Sequence, residues 1–252
     1  MLLIPLLIAG GAYLYFSSRD RTWTMPALSR TVPAPSATPA AAPLPTEAPV
    51  EPREKLPPLD ESDTLIRKLA AALSSHPGWA SWLITEGLVR RFVVIVDNVA
   101  EGVAPRKHVP FLAPKGSFQT AERRGSRVID PRSYTRYDLT ADIVASLDTR
   151  GCAELYKRLK PLIQDAYRDL GYPDRNFDVT LARAIDRLDK TPVPEGQVTV
   201  REGVKSFKYE NPELEALTPA QKQFLRMGPA NMKKVKQKLR DLSESLGLPR
   251  KG

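Results

Sequence analysis

Leu88-Val89-Arg90-Arg91-Phe92-Val93-Val94-Ile95-Val96-Asp97-Asn98-Val99 is the stretch whose reading decides the fold. The β-branched run Val93-Val94-Ile95-Val96 has the composition of a buried strand. Over the whole stretch, however, Leu88, Phe92, Ile95, Val96 and Val99 fall on one face of a 3.6-residue period, which predicts a helix. A helix here makes the chain mainly α, because the segments on either side repeat the same period.

Upstream, Leu65, Ile66, Leu69 and Leu73 predict a helix that ends at Leu73, with Asp60 and Ser62 as candidate N-caps. Trp79, Trp82 and Leu83 continue the apolar pattern after His76-Pro77. Downstream, Phe118–Thr120 and Arg127–Ile129 flank Gly125 as a short hairpin, and Gln197–Tyr209 forms a weaker one around Gly203. Helices are predicted over Asp138–Leu147 and about Ala153–Leu170, the second bearing the stripe Leu155, Leu159, Leu162, Ala166 and Leu170. Pro161 is expected to kink it, and Gly171 to end it in the left-handed region. Asp178 is read as the cap of the next helix, whose inward positions are Leu181, Ile185 and Leu188. Asn211-Pro212 and Thr218-Pro219-Ala220-Gln221 are two further starts, the latter with the elements of a capping box. After Gly228-Pro229, the residues Val235, Leu239, Leu242 and Leu246 make one apolar seam on a final helix.

The 252-residue chain has 24 prolines, of which ten lie between residues 26 and 58 among Ala, Ser, Thr and Glu. Such a segment buries too little apolar surface to offset chain entropy, so residues 19–58 are read as a disordered linker. Ahead of it, residues 1–18 are apolar or small. As a helix they span about 27 Å, close to the roughly 30 Å of a bilayer's hydrocarbon layer. They are read as a transmembrane signal-anchor, with a cleaved secretory signal at Ala9–Ala12 as the competing reading. Arg19 and Arg21 after the span favour the cytoplasm for the rest of the chain, whereas a Pro-rich spacer fits a domain standing off from a bacterial inner membrane into the periplasm. The expectation is therefore three parts: an anchor (1–18), a linker (19–58) and one helical globular domain with one or two hairpins (59–252).

Several of these segments together carry a resemblance: Arg90-Arg91-Phe92 with Val96-Asp97-Asn98, His108-Val109-Pro110-Phe111, Arg136-Tyr137-Asp138, Leu170-Gly171-Tyr172-Pro173, Thr191-Pro192-Val193-Pro194, and Pro219-Ala220-Gln221-Lys222 leading to Arg226-Met227-Gly228-Pro229. The chain resembles the bacterial family called domain of unknown function 3014, over nearly all of residues 59–248. The resemblance implies a membrane segment ahead of the domain, and it implies no activity and no catalytic residues. One departure is the missing basic stretch before the span.

The single Cys152 rules out an intramolecular disulfide or a thiolate cluster, and two histidines, His76 and His108, rule out multi-imidazole chemistry. No phosphate loop, nucleophile elbow or zincin motif is present, so no cofactor, metal site or catalytic residue is assigned and the chain is read as a non-enzyme. One candidate interaction surface is Arg106, Lys107 and His108, where neighbouring cations depress the imidazole's proton affinity. As an alternative, His108 serves an envelope enzyme with Asp97 or Asp138; the plainer reading is a loop hydrogen bond. Asp97 is also read as an ion pair with Arg90 on one helix face. Tyr134 and Tyr137, with Arg132 and Arg136, form a second candidate, an aromatic and basic patch for a glycan or peptide; packing is its plainer reading.

The formal charge is +9, and eight cations face only two carboxylates from Arg226 to the end. Lys234, Lys236 and Arg240, with Lys233 and Lys238, fall outside the final seam, so the last helix is read as basic and amphipathic. It presents either a solvated face or a surface for anionic lipid. Nucleic acid is disfavoured, because the helix has no aromatic residue for stacking. The sequence thus points to an interaction or scaffolding module of the envelope, with an unidentified envelope protein or wall partner and an oligomeric state left open.

Overall fold

The computed structural model describes residues 56–108, 113–203 and 206–249. The expected span at residues 1–18 and the linker up to residue 55 lie outside the described residues. Among the described residues no helix is long and apolar enough to cross a membrane.

The domain is mainly helical. Helices α1 (Asp63–Ala71), α2 (Trp79–Trp82) and α3 (Leu88–Ala100) come first, followed by strands β1 (Thr120–Arg123) and β2 (Ser126–Ile129). Next are α4 (Arg132–Thr135), α5 (Asp138–Ser146), α6 (Thr149–Asp169) and α7 (Phe177–Asp189), then β3 (Val200–Arg201) and β4 (Lys208–Tyr209). The chain closes with α8 (Pro212–Ala216), α9 (Pro219–Leu225) and α10 (Gly228–Leu246).

The deciding stretch is a helix. Leu88, Phe92, Val93, Ile95 and Val96 on α3 are all at most 1% exposed, each contributing about 1.5–3 kcal/mol over an exposed position. α3 packs on α6 and α7, while α10 packs on α5, α6 and α7. Aromatic rings join these layers, with the Phe92 and Phe177 centroids 5.4 Å apart and those of Tyr167 and Phe177 5.2 Å apart. α3 starts on a borrowed cap: Asp63, at the head of α1, accepts from the N–H of Gly87 at 2.7 Å and of Leu88 at 2.9 Å. The buried Trp79 indole is satisfied by the Ala70 carbonyl at 2.8 Å, as a desolvated N–H requires.

Other starts and stops follow local chemistry, with corrections at the expected caps Asp178, Ser62 and Asp60. Asp178 is not the cap of α7: Asn176 accepts from the Asp178 N–H, and the Asp178 carboxylate instead receives Tyr156 Oη and Lys160 Nζ, both at 2.5 Å. Ser62 occupies the first cap but turns its hydroxyl back to the Leu59 carbonyl, and Asp60 lies in a 3-10 turn, Leu59–Glu61. α6 runs through Pro161 without interruption and ends at Gly171, whose φ of +107° lets Gly171 and Tyr172 donate to Arg168 and Tyr167 in a Schellman turn. The Thr218–Gln221 capping box forms with Pro219 at the first helical position.

Both hairpins are antiparallel and two-stranded, Thr120 pairing with Ile129 and Val200 with Tyr209. The first turns at Arg124-Gly125, where both φ angles are positive, as a tight two-residue turn needs. A single bridge between Val128 and Thr199 sets the hairpins side by side, which brings chain from residues 118–129 next to chain from 198–209. Strand β1 begins at Thr120 rather than Phe118, and the Phe118 ring lies against Phe207 of the second hairpin.

Candidate functional site

A cavity of about 500 Å³ lies where the two hairpins meet the start of α5 and the end of α9. Phe118, Phe207, Tyr137 and Tyr209 supply its aromatic walls, and Arg106, Arg136 and Arg226 its charge. Among the described residues, no Asp or Glu lines it. That imbalance is unusual on this surface, where Arg90 meets Asp60 and Asp169, Arg183 meets Glu101 and Arg240 meets Asp189.

Each arginine is held by neutral groups. Arg136 donates from Nε to the Ser133 carbonyl at 3.0 Å and from Nη1 to the Gly116 carbonyl at 2.9 Å. Its guanidinium lies 6.0 Å from the Phe118 ring centre and 5.7 Å from that of Tyr137, a cation–π arrangement. Arg106 Nε donates to Gln223 Oε1 at 2.9 Å, and Arg226 Nη1 to the same oxygen at 3.4 Å. Burial, and then the nearby Arg226 charge, lower the Arg106 proton affinity. Gln223 is oriented in turn by donation from Nε2 to Tyr137 Oη at 3.4 Å. The Tyr209 phenol is pushed up to about 12, chiefly by burial. Nearby Glu215 is engaged by the Tyr209 N–H at 3.0 Å and by Lys222 Nζ at 3.1 Å. The Phe118 and Phe207 rings are 5.4 Å apart and tilted by 44°.

Of the residues singled out from sequence, Arg106, Arg136 and Tyr137 meet in this cavity. Lys107 is exposed beside it on the 3-10 turn Arg106–His108. His108 is half-buried, and burial followed by Arg91 and Lys107 lowers its proton affinity. The two carboxylates considered as its partners are engaged elsewhere. Asp138 accepts from Asn231 Nδ2 at 2.8 Å, and Asp97 from Tyr172 Oη at 3.4 Å. Asp97 is not paired with Arg90; burial and then Glu101 raise its proton affinity. Arg132 pairs with Asp130 at 2.7 Å.

Tyr134 stands behind the cavity, against Gly228. A Cβ at Gly228 would come within 2.4 Å of the Tyr134 ring, and burial pushes the phenol up to about 12. The final seam packs on its own domain, Val235, Leu239 and Leu242 being at most 2% exposed. Of the cations of α10, Lys233, Lys234 and Arg240 are exposed, and four of the five reach neighbouring elements. Lys236, only 8% exposed, donates to the carbonyls of Asp189 and Thr191 at 2.7 and 2.6 Å. Lys238 reaches the Leu147 carbonyl at 2.6 Å, Lys234 pairs with Asp142 at 2.5 Å and Arg240 with Asp189 at 2.8 Å. Lysine stems long enough to reach around the helix explain the difference.

Phe118, Phe207, Tyr209, Gln223 and Arg226 were not among the sequence candidates. Arg226 had a signal, because it opens the Arg226-Met227-Gly228-Pro229 motif. Gln223 lies three residues before it, on the same helical face.

The fold and cavity define a class, a mainly helical domain with two small antiparallel hairpins and a cationic, aromatic-walled recess. The family described as protein of unknown function (DUF3014) matches residues 88–243, and the chain belongs to it. Every lining residue of the cavity falls within that span. No curated protein and no solved structure matches the chain.

Proposed function

We propose that the chain is a non-enzymatic binding module of the bacterial envelope, and that the cavity between its hairpins and α9 engages an anionic partner. The observation that carries this reading is the gathering of Arg106, Arg136 and Arg226 around one recess with no carboxylate among its described lining residues. Arg106 and Arg226 crowd one acceptor and repel one another, and a bound anion relieves that repulsion while supplying charge-assisted hydrogen bonds. The apolar run at residues 1–18 supports a tether, and the proline-rich stretch a stand-off into the periplasm. The placement of the lysines of α10 against neighbouring helices favours the cavity over the last helix as the binding surface.

Photo-crosslinking in living cells tests this. A benzophenone side chain at Phe207 is expected to give discrete adducts that vanish when Arg106 and Arg226 are both changed to Gln. The same group at Leu139, 59% exposed on α5, gives none of them. Adducts that are identical from both positions, or that survive loss of both arginines, sink the reading.

A further inference from the structure

We infer that the cavity takes an oxyanion joined to a flat apolar body, with the oxyanion displacing the Gln223 amide oxygen from between Arg106 and Arg226. This rests on the cavity being a binding site and adds the chemistry of its ligand. One neutral oxygen, Gln223 Oε1, accepts from both guanidiniums, at 2.9 and 3.4 Å. It occupies the position that a negatively charged oxygen fills better: both donors are already charged, and an ionised acceptor adds to each bond a Coulomb attraction that the amide oxygen lacks. Two guanidinium forks aimed at one point suit the two or three oxygens of a carboxylate or phosphate. The second arm of Gln223 rests on Tyr137 Oη at 3.4 Å, a long bond that opposes little when the amide swings away.

The body of the ligand is set by the aromatic lining. Phe118 and Phe207 form a tilted pair 5.4 Å apart, and Arg136 sits 6.0 Å from the Phe118 centroid. A planar ring laid against this pair gains tilted stacking from the aromatics and a guanidinium at its edge. A volume of about 500 Å³ lies within the roughly 300–1,000 Å³ of small-ligand sites, so head and body fit together. A free cation is disfavoured by the three arginines, and a purely apolar ligand leaves them unanswered.

Calorimetric titration of the full chain in detergent at low salt, with benzoate, phenyl phosphate, acetate and benzyl alcohol as probes, tests the inference. Benzoate or phenyl phosphate is expected to bind at one site, with acetate and benzyl alcohol at least about tenfold weaker, a difference near 1.4 kcal/mol. Whichever aromatic anion binds more tightly identifies the head group. Arg106→Gln, on an exposed turn where folding is not at stake, is expected to weaken the preferred probe about tenfold, and Arg226→Lys to weaken it less. Equal binding of benzyl alcohol and benzoate overturns the inference, as does indifference to Arg106→Gln. If no probe binds while arginine-dependent adducts from position 207 persist in cells, the ligand class falls and the binding site stands. Loss of both removes the binding site as well.

Discussion

Asp130 shows how one side chain ties local geometry to pH. Its carboxylate accepts from Arg132 Nη2 at 2.7 Å and from the Arg132 N–H at 2.9 Å, which lowers its pKa from 3.8 to about 2. Because the folded-state value is depressed, the charged form contributes stability above the unfolded value, and that contribution drains away as pH falls from 3.8 towards 2. Replacement by Asn removes the charged acceptor. Urea midpoints of the parent and Asp130→Asn proteins are therefore expected to differ most at pH 6 and to converge as the pH drops through that interval. A gap unchanged from pH 6 to pH 3 contradicts the assignment. Nothing in the sequence foretold this pairing: Asp130 is two residues from Arg132, and only the turn into α4 brings their charged groups together.

The elements were the most legible level. The contest at residues 88–99 went to the helix because its period holds over three turns, whereas the β-branched run spans one turn and has no neighbouring strand to pair with. The capping box at Thr218 was readable because all of its parts are local. The last helix was half readable. Its seam is a property of one helix, but the fate of its lysines depends on what lies beside it, and the carbonyls of Asp189 and Thr191 belong to chain more than forty residues earlier. Lys236→Ala leaves those carbonyls without their cation, and a desolvated acceptor left unpaired costs roughly 1–3 kcal/mol. A lowered urea midpoint with an unchanged denaturant slope, and unchanged retention on anionic liposomes, is expected. Weaker liposome retention at full stability instead restores the membrane-facing reading of this helix.

At the scale of the whole molecule, periodicity reports which face of a helix is apolar but not which distant loops share a space with it. Arg106 stood out in a run of cations, and Arg136 and Tyr137 as a charge beside an aromatic. Phe207, Gln223 and Arg226 join them only because the second hairpin bridges to the first and α9 folds back beneath both. The same scale holds the question of placement. A reporter active only outside the cytoplasm, fused after Gly252, is expected to be active, because the proline-rich residues 19–55 would reach on the order of 110 Å if extended at about 3.1 Å per residue. Activity of a cytoplasm-only reporter at that position reverses the assignment.

The borrowed cap of α3 bears on where this domain begins. The family match opens at Leu88, the residue whose N–H is held by Asp63 from twenty-five positions upstream. A boundary drawn by resemblance therefore cuts through a hydrogen bond. It leaves behind Ile66 and Ala70, both fully buried in the shared core, along with the carboxylate that completes the first turn of the central helix. Kinship and mechanical integrity mark different edges here: a gene fragment trimmed to the recognisable region would encode a wound rather than a terminus. A cut that spares these contacts lies ahead of Leu56, the first of the described residues and already packed on the core.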